Sequence, residues 1–386
     1  MRVYLDQAAT SWPKPPEVLQ AVEHFFTDVG CNVNRGGYAA AYGAAEVVLE
    51  TRERICSLFG FGEESSQVIF TSGVTAALNQ LLKGLLRPGD HLLVSAMEHN
   101  AVMRPLAQLA EQGISFDRIP ANCEGGMPEH RLEAALESLL RPNTRMLVTT
   151  HASNVCGTLM PLKRLGRFCR SHGLWFVVDA AQTGGVEPID MKAMEIDALA
   201  FAGHKGLLGP QGVGGFLIRR ELADRMEPLI AGGTGSFSHL EQMPEQLPDK
   251  FEAGTMNLPG VFGLHAALGW LERIGIDTVQ NREQQLLERL LEQLEGVEGL
   301  RVLGPRSPFQ RTAVAALDFP GRDNGEVAFR LDQAGIMVRC GLHCAPNAHR
   351  VLGSYPQGAV RLSTGWYNTP EEMDYTAHVL RNILKC

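Results

Sequence analysis

Leu199-Ala-Phe-Ala-Gly-His-Lys-Gly-Leu-Leu-Gly-Pro-Gln-Gly-Val-Gly-Gly215 is the stretch on which the reading of the chain turns. A short apolar run ends in Gly203-His204-Lys205, and a glycine-rich turn follows. Lysines are nearly always solvated, and burying one lowers its pKa because the charged form loses its water. That is the state an amine needs to attack a carbonyl or hold a Schiff base near neutral pH. Taken alone, Lys205 reads first as a surface lysine in a strand-to-loop turn, so the flanking chain has to decide.

Outward from this stretch, strands and helices alternate. Short apolar runs predict strands over 68–70, 91–95, 145–149, 175–179, 198–202 and 215–218. Between them, helical periodicity is found from 72–75 onward and over 102–112, 127–140 and 162–172. Upstream, Pro15-Pro16 suits the first turn of a helix, 32–37 is a loop, and 39–59 is helical. Continuous apolar strands separated by helices predict a mainly parallel, doubly wound α/β sheet covered on both faces. Ligands of such sheets bind just past the strand C-termini, where His99, Asn154, Asp179, Gln182 and Lys205 lie. Residues 230–258, rich in Gly, Pro and charge, break the alternation as a long excursion. A helical region over 261–294 follows, then a smaller α+β unit. Its strands are expected near 313–319, 336–339 and 360–363, with a closing helix over 370–384. The expected division is a large α/β domain over 16–275 and a small domain of 1–15 and 276–386.

The bulk properties narrow the function classes. The chain has 386 residues, 45% hydrophobic and 20% charged, with a net charge of −8. An acidic balance argues against nucleic acid or an anionic membrane as partner. No apolar run is long enough to span a bilayer, and the first residues carry no apolar leader, so a cytoplasmic protein is expected. The eight cysteines are not expected to form a disulfide framework. Cys340 and Cys344 have no second cluster to complete a metal site, so none is expected.

Three local features point to one chemistry. Thr71-Ser-Gly-Val-Thr75 places Gly73 and hydroxyls at a strand-to-helix turn, where backbone N–H groups of Val74 and Thr75 could hold a phosphate. An ordinary N-cap explains the same residues. Asp179 ends an apolar strand, where a lone carboxylate is costly unless a cation or strong donors meet it. A cap or structural ion pair would also serve. A phosphate cradle, a carboxylate for a pyridinium and a lysine of lowered pKa together describe a pyridoxal 5'-phosphate site.

The motifs LDQAATSWPKP, TSGVTAALN, MEHNA, THASNVCGT, VDAAQTGG, FAGHKGLLGPQGVG, FEAGTMN, VRCGLHCAP and VRLSTGWYN occur in order along the chain. In them the sequence resembles the class V aminotransferase-fold family of cysteine desulfurases and selenocysteine lyases, as a side branch near the SUF-type group. The resemblance implies the pyridoxal phosphate-dependent transferase fold (fold type I). It implies that Lys205 forms the Schiff base and moves the substrate's α-proton. It makes Asp179 the partner of the pyridine nitrogen, Gln182 a contact of the phenolic oxygen, and His99 the residue stacked on the ring. Gly73, Val74, Thr75 and His204 would hold the phosphate, and Thr255 would reach the phosphate of a neighbouring subunit, implying a homodimer. Asn154, Arg361, Arg339 and Arg35 would line the substrate site, with Arg361 forking onto the α-carboxylate. Cys344 would take the substrate's sulfur as a persulfide and pass it to an acceptor protein. Its thiolate calls for a cationic or polar setting, with Arg339 and His343 nearby in sequence. An inert buried cysteine is the alternative. Cys340 is either a resolving thiol or incidental.

The sequence departs from the family pattern at Ala202, where a phosphate-binding hydroxyl is common, and before Arg35, where the SUF-type group often has a histidine. The implied reaction is conversion of L-cysteine to L-alanine. Alternatives are a selenocysteine lyase acting on L-selenocysteine, another class V lyase or aminotransferase, and a catalytically silent scaffold.

Overall fold

The computed structural model describes residues 1–33 and 36–385, so Arg35 lies outside the described residues. Strand β1 (Val3–Tyr4) opens the chain. Seven strands then build the main sheet: β2 (Val68–Thr71), β3 (His91–Ser95), β4 (Ser115–Ile119), β5 (Thr144–Thr150), β6 (Trp175–Asp179), β7 (Ala198–Ala202) and β8 (Gly214–Ile218). Their order is β2-β8-β7-β6-β5-β3-β4. The pairs from β7 through β4 are parallel. β8 runs antiparallel to both neighbours, within a sheet that is mainly parallel as expected. Residues 203–213 are too few to carry a crossover helix, so the chain must turn back.

Alternation along these strands sends successive side chains to opposite faces. Phe176, Val178, Leu199 and Phe201 join one buried cluster. Val177, Ala198 and Ala200 join the cluster on the other face. Each large side chain so buried contributes about 1.5–3 kcal/mol, which accounts for the sheet's unbroken apolar runs. Gly215 lets β2 approach: a Cβ there would lie 2.1 Å from the Ile69 carbonyl oxygen.

After the main sheet, β9 (Arg301–Leu303), β10 (Val314–Asp318), β11 (Ile336–Met337), β12 (Arg339–Gly341) and β13 (Ala359–Ser363) follow. β12-β13-β10-β9 form an antiparallel sheet, while β11 pairs in parallel with β1. The strand expected over 336–339 is therefore two strands in two sheets. A third core holds Val3, Leu5, Leu290, Leu317, Val360, Leu362 and Leu380.

Other expectations shift. The helical stretch 261–294 is two helices, Leu258–Ile274 and Ile276–Leu294, separated by Gly275 at φ +86°. The helix expected over 127–140 shortens to Leu132–Leu139 after a 3₁₀ turn over Glu129–Arg131. Strand β4, absent from the sequence reading, is the sheet's edge; its half-exposed Asp117 and exposed Arg118 hide the apolar pattern. The helix Asn324–Gln333 also went unread, although Asp323 caps it.

Candidate active site

The residues picked out at strand ends do share one layer. Lys205 follows β7, Asp179 ends β6, Asn154 follows β5, His99 follows β3, and Thr75 follows β2. This is the carboxyl edge of the sheet, and β3 and β5 flank the point where strand order reverses.

Lys205 sits in a turn closed by Leu208 N donating to the Lys205 carbonyl at 2.8 Å. Ser11 Oγ donates to the same carbonyl at 2.9 Å. The Lys205 side chain lines a narrow cleft with Gln7, Gln182, Ser363 and Trp366. Burial lowers its pKa to about 8, Asp179 opposes that shift, and the positive field of Arg361 and Arg339 adds to it. The desolvated, easily neutralised amine expected from sequence is therefore present. Lys14 lies beside it, donating to Ser11 Oγ at 2.6 Å and the His204 carbonyl at 2.8 Å; burial holds its pKa at about 8 as well.

Asp179 is 3% exposed. Burial raises its pKa, against the pull of the Ala181 N–H on Oδ1 at 2.9 Å and of Lys205. Such a carboxylate is costly until a cation meets it, and a pyridinium would. Gln182 directs Nε2 to the Ala8 carbonyl at 3.1 Å. His99 caps the helix Asn100–Ala110, its Nδ1 accepting from Ala101 N at 3.0 Å. Burial and the charges of Lys205, Arg361 and Arg104 lower its pKa to about 4, so a neutral ring with the proton on Nε2 stands here.

At the phosphate-ready turn, Gly73 has φ +153° and a Cβ placed there would meet nothing within 4 Å, which leaves a hollow beside the helix Val74–Leu85. The first N–H groups of such a helix have no partner within it. Buried His204 Nδ1 has no partner among the described residues either, and burial lowers its pKa to about 4. Thr255 is exposed and lies apart from the Lys205 cleft, in a cavity of about 590 Å³ that also reaches Ser72 and Gly212.

Arg361 on β13 is 3% exposed. It donates from Nη1 to the Asn154 carbonyl at 3.0 Å and from Nη2 to Asp6 Oδ1 at 2.8 Å, leaving Nε unpartnered among the described residues. Arg339 donates to Asp6 Oδ2 from Nε at 3.1 Å and Nη2 at 2.9 Å. One carboxylate thus holds both guanidinium groups. Asn154 donates from Nδ2 to the His343 carbonyl at 2.7 Å and leaves Oδ1 buried without a partner among the described residues. Unpaired buried polar atoms cost about 1–3 kcal/mol each. Those of Asn154, Arg361 and His204 suit a site shaped for a polar ligand, so the residues fit the cofactor and an amino acid.

Cys344 is exposed and shares a cavity of about 320 Å³ with Thr75, His99, Asn100 and Arg104. The cationic setting expected from His343 is not found. That ring is buried, faces His349 rather than the thiol's cavity, and burial with the charge of Arg361 lowers its pKa to about 3. Positive charge near Cys344 comes from Arg339. Exposed Cys340 has its pKa raised, first by partial burial.

Sequence reasoning passed over Asp6, Glu98 and His349. Asp6 and Glu98 stand inside quoted motifs, yet nothing in their spacing reveals their partners. Glu98 accepts from Thr150 N at 2.8 Å and from Ser95 Oγ; burial raises its pKa to about 8.

Comparison with known proteins places the chain in a family. The family description Aminotransferase class-V matches residues 3–376. A probable cysteine desulfurase of Methanothermobacter thermautotrophicus is 33% identical over 386 residues, covering 99% of this chain and 94% of that protein. A cysteine desulfurase of Escherichia coli (strain SE11) is 34% identical over 390 residues, covering 98% and 93%. The apo structure of a cysteine desulfurase from Thermococcus onnurineus NA1 superposes with a TM-score of 0.91 at 31% identity, covering 100% of this chain and 95% of that one. The strand-end lysine, the buried aspartate and the matched length together make this chain a member of the class-V aminotransferase family.

Proposed function

We propose that this chain is a pyridoxal 5'-phosphate-dependent cysteine desulfurase that converts L-cysteine to L-alanine and leaves a persulfide on Cys344. The observation that carries the reading is the exposed Cys344 thiol in one cavity wall with His99 and Thr75, on a loop tied to Asn100 and Asn154. When bound, the cofactor supplies an electron sink for the substrate's α-carbon.

The chain's own residues do the rest. Lys205 provides the amine and moves the proton at the α-carbon, a task suited to a pKa near the working pH. Asp179 would meet the ring nitrogen of the bound cofactor, Gln182 the phenolic oxygen, and His99 the ring, while Gly73, Val74, Thr75 and His204 would hold the phosphate. Arg361, its Nε free, takes the α-carboxylate, with Asn154 and Arg339 beside it. The Cys344 sulfur attacks the substrate sulfur: the S–S bond forms, the Cβ–S bond breaks, and a proton reaches the carbon side to give alanine. The enzyme keeps one added sulfur, which an acceptor thiol can remove.

The same reading includes a homodimer in which Thr255 serves the partner's phosphate. It also includes the division into 16–275 and 1–15 with 276–386, supported by the pairing of β1 with β11. A cytoplasmic setting belongs with it; no helix among the described residues is long and apolar enough to cross a membrane.

Alanine release from L-cysteine and L-selenocysteine, measured side by side, tests the reading. Turnover of L-cysteine supports it. Turnover of L-selenocysteine alone points to a lyase, and a keto acid from other amino acids to a transaminase. No turnover and no cofactor uptake would leave a silent scaffold.

A further inference from the structure

The turn that carries Cys344 is unusual. His343 and Cys344 stand consecutively in the left-handed region, at φ +49° and +56°, although neither is glycine. Such residues cost about 1–3 kcal/mol each and persist only where the surroundings over-determine them. The surroundings here can be named. Asn154 Nδ2 donates to the His343 carbonyl at 2.7 Å, and Asn100 N donates to the Cys344 carbonyl at 2.7 Å. Both clamps reach over from the main-sheet side.

From beneath comes a chain of side chains. His343 Nε2 lies 3.3 Å from the Arg339 carbonyl, so this nitrogen carries the proton and Nδ1 accepts. His349 Nε2, 3.3 Å from that Nδ1, must then donate, and its own Nδ1 accepts from Ser354 Oγ at 2.8 Å. One direction of donation therefore satisfies Ser354, His349, His343 and Arg339 with both rings neutral. The rings stack at 5.5 Å and 24°, and all three side chains are buried, His349 completely.

We propose that the Ser354–His349–His343 chain is a positioning device that holds Cys344 in its left-handed conformation, with the thiol in the cavity shared with His99. It rests on the desulfurase reading for its purpose, and its geometry stands without it. None of the three lines the cleft of Lys205 or the cavity of Cys344, so they act through the turn.

The test uses the holoenzyme with His349→Phe, which keeps the stacked ring and removes both hydrogen bonds, and His349→Gln, which can restore a donor. Alanine release from L-cysteine is measured with the rate of Cys344 alkylation by iodoacetamide, the cofactor absorbance and Tm. A thiol displaced by about 1 Å can cost up to ~10²-fold in rate. For His349→Phe we expect kcat to fall about tenfold or more, KM for L-cysteine to change less than about twofold, and alkylation to speed up severalfold. His349→Gln should recover part of both. Unchanged kcat and alkylation in a folded His349→Phe protein would overturn the proposal, as would a fall in kcat with no change in alkylation and no rescue. If His349→Phe does not fold, Ser354→Ala decides: the same two shifts, smaller, support the proposal, and neither shift overturns it. Alkylation is read whether or not alanine forms, so failure of the desulfurase reading shows separately, as no alanine from the wild type.

Discussion

The turn after β7 and the turn after β12 each deliver one reactive side chain, and they are built in opposite ways. Lys205 is placed by regular structure: a fully buried strand, a neighbour on either side, and a turn closed by its own backbone. Cys344 is placed by side chains borrowed from distant segments, which hold an otherwise unfavourable backbone. The first arrangement is general, because any chemistry based on a lysine-held cofactor can use it. The second is particular to a reaction that needs a thiol at one spot. On the proposed reading, cofactor use resides in the sheet, and the reaction in the loop of Cys344.

The comparison breaks most completely at Lys205. Lys205→Ala should lower alanine release by about 10³-fold or more, the upper range for a general acid–base group, while far-UV CD stays native. Retained turnover would remove the sheet's claim to the cofactor. Arg361→Lys keeps the charge but loses the planar fork, and charged hydrogen bonds of this kind carry about 1.5–3 kcal/mol. We expect KM for L-cysteine to rise about tenfold to a hundredfold, read from initial rates; a kcat effect with no KM effect would move Arg361 out of substrate binding.

A smaller, pH-dependent effect follows from Lys205. Its pKa is lowered from the usual lysine range to about 8, so the neutral amine is scarce below that pH and dominant above it. Cofactor capture by apoprotein, followed by its absorbance, should accelerate as pH rises to about 8 and then level off. A rate still climbing toward the ordinary lysine pKa would show that the amine is solvated.

The smallest expected effect is at Glu98. Its folded pKa, raised by burial to about 8, lies above the unfolded value, so the carboxyl holds its proton more tightly when folded. Its cost to stability is absent below the unfolded pKa, grows as pH rises from there to about 8, and stays constant above. Glu98→Gln keeps an acceptor for Ser95 and Thr150 and cannot ionise. Its Tm should therefore fall less than the wild type's between about pH 6 and pH 9, and equal slopes would contradict the raised pKa.

What could be read from the sequence follows the same division. Lys205, Asp179 and His99 stand out locally, as polar residues ending or just following apolar runs, and the sheet places them as expected. Asp6 carries no such signal. Its meaning lies in an ion pair with Arg361, 355 positions away, and no periodicity reports that. His349 and Ser354 likewise gain their meaning only when the turn at Cys344 folds over them. The antiparallel course of β8 follows from the shortness of 203–213, a matter of length rather than of residue type. The sequence reading of His343 as a source of positive charge failed because proximity along the chain says nothing of where a ring points.

The central claim, that Cys344 takes the sulfur, is tested most directly by intact-protein mass spectrometry. Holoenzyme is given L-cysteine without reductant, and alanine is measured in the same samples. The account predicts that wild type gains the mass of one sulfur atom as alanine appears, whereas Cys344→Ala binds the cofactor normally, gains none, and loses turnover by about 10²-fold or more. Undiminished alanine release from Cys344→Ala would contradict it.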